Sequence, residues 1–168
     1  MKSVRLALIA VVILAVPVTA SACLFSACDY ITNGTFTNNG TGWNTGGASF
    51  VNGTGCSTSK MAELAPGEYI EQTFTPGAHS SWELLYRAFI VNDTDNYYDQ
   101  LMITVTNNST SQVEAFNLRG SSYTSSCTYL SHILSNDYDN VSVTVRFEVQ
   151  SLGTSSWRID NVAFWGAN

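Results

Sequence analysis

Positive charge is scarce in this chain. Seven Lys and Arg stand against thirteen Asp and Glu, a formal charge of −6. A phosphate backbone needs a basic patch, so a nucleic-acid partner is excluded. Charge of either sign makes up only 12% of the residues, and solubility rests instead on Ser, Thr, Asn and Gly. Chemistry-bearing motifs are also few. The two histidines, His79 and His132, stand in no H-E-x-x-H pattern, and there is no G-x-S-x-G and no C-x-x-C. These absences argue against a zinc protease, a serine hydrolase, a zinc finger and a thiol redox site. Both histidines are expected in turns or at the surface. No stretch reads as a convincing helix, and no internal repeat, linker or low-complexity tail is present.

What is there begins with an export signal over residues 1–22. Lys2 and Arg5 form a basic n-region, Leu6 to Val16 is an unbroken apolar run, and Ala20-Ser21-Ala22 is an A-x-A cleavage site. The run is too short to span a bilayer, which takes about 20 residues. An extracellular or cell-surface location follows. Seven N-x-S/T sequons, at Asn33, Asn39, Asn52, Asn92, Asn107, Asn108 and Asn140, are candidate glycosylation sites if the source has the machinery.

Four cysteines remain to be placed. In an exported chain a disulfide is the default. Cys56 and Cys127 lie well inside the domain and are expected to pair, closing a loop worth on the order of 4 kcal/mol of chain entropy. Cys23 and Cys28 belong to a short N-terminal segment, residues 23–28. Each follows a small residue, as in a bacterial lipobox, but neither has the usual Leu three positions earlier. Lipidation, which would make a membrane tether, stands beside a local disulfide or two thiols near a frayed terminus.

From Asp29 onward the pattern is that of strands. Ser81 to Val91 places Trp82, Leu84, Tyr86, Ala88 and Ile90 on one face and Glu83, Leu85, Arg87 and Phe89 on the other. Glu68–Thr75, Asp99–Thr106 and Val141–Val149 alternate in the same way, and Trp157–Trp165 closes the chain. Turn chemistry recurs every 8–12 residues, including Asn33-Gly34, Asn39-Gly40, Asn52-Gly53, Pro66-Gly67 and Pro76-Gly77. About ten strands with no helix predict an all-β fold over residues 29–168, an antiparallel β-sandwich or barrel.

Five short patterns stand in a recognisable order: Asn33-Gly34-Thr35-Phe36-Thr37, Gly42-Trp43, Ile70-Glu71-Gln72-Thr73-Phe74, Trp82-Glu83-Leu84-Leu85-Tyr86 and Trp157-Arg158-Ile159-Asp160-Asn161-Val162. Together they resemble the galactose-binding-like jelly rolls, and among these the carbohydrate-binding modules for β-glucans or xylans. The resemblance covers about Asp29 to Phe164. It implies a jelly-roll sandwich, a non-catalytic module and a polysaccharide or glycan partner, with a surface protein that binds protein or itself as the alternative. The family often holds a structural calcium with a Glu at the end of the first pattern and the Asp of the last. Here Thr37 occupies the Glu position while Asp160 remains, so that site is weakened or lost; otherwise no cofactor is required.

The candidate ligand-binding residues are the polar groups of the mixed strand faces, Glu83, Arg87, Gln100, Arg146 and Glu148, with Tyr97 and Tyr98 in an adjacent turn. Aromatic rings stack on the apolar face of a sugar while polar groups take its hydroxyls. Glycoside hydrolysis needs two carboxylates about 5–10 Å apart. Glu83 and Glu148 are the outward acids available for one, and isolated outward acids are ordinarily solvated, so an enzyme is not expected.

Overall fold

The computed structural model describes residues 27–53, 56, 60–91, 99–120, 126–150 and 154–168. The signal segment, Cys23, Asn92, Tyr97 and Tyr98 lie outside the described residues. Among the described residues eleven strands form two antiparallel sheets, and no α-helix occurs. In chain order they are β1 (Ala27–Asp29), β2 (Asn44–Gly46), β3 (Ser49–Asn52), β4 (Lys60–Leu64), β5 (Tyr69–Phe74), β6 (Ser81–Val91), β7 (Gln100–Asn107), β8 (Gln112–Arg119), β9 (Thr128–Leu134), β10 (Val143–Val149) and β11 (Ser156–Ala167).

One sheet runs β3-β4-β11-β6-β9, with β1 paired to the end of β11. The other runs β2-β5-β10-β7-β8. β6 is central in the first, and its face of Trp82, Leu84, Tyr86, Ala88 and Ile90 is buried in the core, as alternation requires. β10 is central in the second, and Val143, Val145, Phe147 and Val149 face inward from it. Between the sheets Phe36, Trp43, Tyr138, Trp157 and Phe164 complete an aromatic-rich core. A bulge between Asp160 and Ala163 shifts the β11–β6 register, which bends the strand across the face it covers.

Cys56 and Cys127 are joined, with Cα atoms 4.9 Å apart, and pack with Met61 and Phe89 on the outer side of the first sheet. Cys28 is buried, and its sulfur also lies in a disulfide.

One expectation is corrected by the packing. His132 is not a turn or surface residue: it lies on the inner face of β9, stacked 3.9 Å from Phe116 and 5.6 Å from Tyr86, whose hydroxyl is 2.8 Å from Nε2. The outward face of β6 is partly covered. Leu85 and Phe89 are buried there, and Arg87 donates to the Cys56 carbonyl at 2.9 Å.

Candidate functional site

The outer face of the β2-β5-β10-β7-β8 sheet carries a connected set of ordered polar groups. Strand register aligns them in rows. Asn44, Glu71, Arg146, Thr104 and Ala115 share one row, and Gly46, Tyr69, Glu148, Met102 and Asn117 share the next. On the three inner strands they are outward because the residue between them is in the core: Ile70 between Tyr69 and Glu71, Phe147 between Arg146 and Glu148, and Ile103 between Met102 and Thr104.

Arg146 is the hub. Its Nη1 donates to Glu71 Oε2 and its Nε to Glu148 Oε2, both at 2.9 Å. Burial alone disfavours a charged guanidinium, but the two carboxylates outweigh it and push the Arg146 pKa up. The guanidinium also lies 3.5 Å from the centre of the Tyr69 ring, a cation–π contact. Asn44 Nδ2 donates to the second oxygen of Glu71 at 2.8 Å. The result is a half-buried group of one cation and two anions, net negative, held in one geometry by side chains from three adjacent strands, β2, β5 and β10.

Gly46 is required by this arrangement. A methyl group at that position would fall 2.0 Å from the Tyr69 ring, so only glycine lets the ring lie over the neighbouring strand. At the far end of the same face, Gln150 Nε2 reaches Met102 Sδ at 3.4 Å, and Gln100 pairs with Arg119 across β7 and β8.

The candidate residues divide between two surfaces. Gln100, Arg146 and Glu148 come together on this face. Glu83 and Arg87 lie on the outer face of the opposite sheet, with the whole sandwich between. There Glu83 accepts from the Ser131 hydroxyl, and Trp165, Glu83 and Ile133 form a row in which Trp165 is 43% and Ile133 82% exposed. Asn44, Tyr69, Glu71 and Met102 were not among the candidates. The alternation of Tyr69-Ile70-Glu71 carried a signal for two of them, whereas nothing local marks Asn44, which acquires its place by pairing with β5.

A calcium ion fits the residues present poorly. Asp160 is fully buried, and its Oδ1 accepts the Asn161 amide at 2.8 Å. Thr37 is exposed on the Asn33–Trp43 loop, and among the described residues no three His, Cys, Asp or Glu side chains could together hold a metal. Of the described sequons, Asn107 is 3% exposed with its side chain bonded to the Asp137 carbonyl and to the Ser109 and Thr110 amides. Asn39, Asn52, Asn108 and Asn140 are exposed, and Asn33 is partly so.

No protein-family model matches the sequence, and no curated protein matches it. Solved structures do share the architecture. TmCBM61, determined in complex with β-1,4-galactotriose, superposes with a TM-score of 0.64 at 7% identity, over 81% of this chain and 97% of that one. The enzymatically active domain of the bacteriophage CBA120 tailspike protein 4 gives 0.63 at 13% identity, over 83% of this chain but 21% of that one. A family 16 carbohydrate-binding module gives 0.57 at 15% identity, over 80% and 98%. At these identities the likeness establishes the fold alone, a two-sheet antiparallel jelly roll like that of these carbohydrate-binding modules.

Proposed function

We propose that the outer face of the β2-β5-β10-β7-β8 sheet binds a carbohydrate chain, and that the protein is a non-catalytic module acting outside the cell or at its surface. The observation that carries this reading is the Tyr69–Arg146–Glu71–Glu148–Asn44 array. The fold does not need it, since the core is complete beneath it. Five side chains fixed by one another offer donors and acceptors whose ordering cost is already met before a ligand arrives. A sugar presents hydroxyls that such fixed carboxylates, amides and guanidinium N–H groups can satisfy. Because both carboxylates are tied to the same guanidinium, neither stands free to serve as the acid of a hydrolytic pair. The carbohydrate-binding modules of the same fold, and the chain's Cys56–Cys127 disulfide, support the reading and its extracellular setting.

A glycan-array screen followed by titration of Tyr69→Ala and Arg146→Ala tests it. Both variants are expected to keep the wild-type melting temperature within a few degrees and to lose at least tenfold in affinity, about 1.4 kcal/mol. Arg87→Ala, on the opposite sheet, should bind as the wild type does. Full binding by the folded Arg146→Ala variant would reject this face. The row of Trp165, Glu83 and Ile133 favours a second reading, a structural or adhesive protein that binds protein or itself through the other sheet. A wild type that binds no glycan but self-associates, and loses this on Trp165→Ser, would support that reading instead.

A further inference from the structure

The sheet that carries the polar face is incomplete at one corner. β2 begins at Asn44, opposite Glu71, so from Gln72 onward β5 has no strand beside it on that side among the described residues. The Asn33–Trp43 loop closes the gap through one buried side chain. Gln72, 6% exposed, accepts the Thr32 amide at 2.7 Å and donates to the carbonyls of Thr32 and Gly42 at 2.9 and 3.0 Å. Gly42 adopts φ 87°, a conformation that side chains rarely tolerate. Between this wall and the β5 edge lies a pocket of about 340 Å³.

Its lining differs in kind from the polar face. It holds no charged side chain. Tyr30 and Phe74 supply two parallel rings, 6° apart in plane with centres 6.4 Å apart. Thr32, Thr73 and Thr75 add hydroxyls, and those of Thr32 and Thr75 take no partner among the described residues. Tyr30 is held from behind, its hydroxyl 2.7 Å from His79 Nε2. The volume is at the low end for a small-ligand pocket, and two rings with convergent hydroxyls suit a single uncharged, amphipathic ring. The pocket also adjoins the polar face. Thr73 is the next outward residue after Glu71 on β5, about 7 Å along the strand, and bonds Thr144 at 2.8 Å in the row beside Arg146.

We infer that this pocket is a subsite for one neutral sugar ring, occupied by the end of a carbohydrate chain that crosses the outer face of the sheet. The inference rests on the reading under Proposed function. It gives a chain a direction on the sheet, from the Arg146 row over Thr73 to the β5 edge, and adds Tyr30, Phe74 and Thr75 to the binding residues.

Calorimetric titration with xylobiose to xylohexaose and with β-1,4-galactotriose tests it, using wild type, Thr75→Trp and Tyr69→Ala, each first shown to melt like the wild type. Thr75 is exposed, so a tryptophan there fills the pocket without entering the core. Affinity should rise with chain length in the wild type. Thr75→Trp should remove about tenfold of the affinity for the longest ligand, the size of one aromatic contact, and leave the shortest unchanged. Tyr69→Ala should weaken every length. If Thr75→Trp misfolds, Phe74→Leu removes the ring at near-constant volume and should give the same length-selective loss. Unchanged affinity for every length in a folded pocket variant would overturn the subsite and leave the face intact. An equal loss at every length would also overturn it, because the pocket would then not be an end subsite. A wild type that binds none of these ligands would overturn both.

Discussion

Trp82 and Glu83 are neighbours in sequence with opposite environments. Trp82 is 4% exposed and meets Tyr30, His79, Tyr138 and Phe164. Glu83 looks outward to Ser131 on the adjacent strand. Trp82→Ala is therefore expected to cost about 3–5 kcal/mol, and Glu83→Ala under about 1 kcal/mol. Urea midpoints separate the two, and equal shifts would contradict the facing of β6. This much was legible in the sequence, because a strand's side-chain period is two and an eleven-residue strand repeats it several times over. The roles of Gln72 and Gly46 were not legible. A glutamine in an alternating strand reads as surface, and its burial depends on three backbone groups, of Thr32 and Gly42, brought in from thirty to forty residues away.

β8 and β9 are the elements whose meaning depended most on assembly. They edge opposite sheets, and their sequences are weakly patterned because apolar residues sit on the outer face as well, Val113 on one and Ile133 on the other. What joins them is Glu114. It accepts the amides of Ser135 and Asn136 and the hydroxyls of Ser135 and Tyr138 across the open side of the sandwich. Burial alone would raise its pKa, but these donors outweigh burial and hold it below the ordinary value. The unfolded chain thus binds the proton more readily. The stabilisation is complete above the ordinary range near 4.5 and is lost as pH falls through the lower, folded value. Glu114→Gln should cost on the order of 1–2 kcal/mol at neutral pH. In urea titrations its gap from the wild type should narrow between pH 5 and pH 3, and a gap constant over that range would refute the clasp. His132, stacked at the same edge, works in the same sense at higher pH. Burial lowers its pKa, so stability falls as pH drops below about 6.5. β2 shows the reverse case: Asn44-Thr45-Gly46 has no strand pattern of its own and is extended because β5 pairs with it.

At the scale of the whole molecule, an aromatic-rich core joins the two sheets, and the Cys56–Cys127 bond ties segments of the first sheet together. With Thr37 exposed and Asp160 bonded to the Asn161 amide, excess EDTA is expected to leave the melting temperature within about 1–2 °C. A loss near 8 °C, equivalent to 1–2 kcal/mol in a domain of this size, would reveal a bound calcium. The sequence by itself determined that the chain is all-β, which residues of each long strand face inward, and that the two internal cysteines pair. Each is a local or compositional property: a period of two, turn residues at short intervals, and thiols in an exported chain. Which outward residues act together was decided only by tertiary structure. Arg87 and Arg146 look alike in sequence, each alternating with core residues on a central strand. β6 pairs with β9 and β11 whereas β10 pairs with β5 and β7, so the sandwich puts the two arginines on opposite sides. Period-two alternation says which way a side chain points from its own strand. It says nothing of which distant strand lies alongside, because that choice is made by cross-strand packing and register over the whole core.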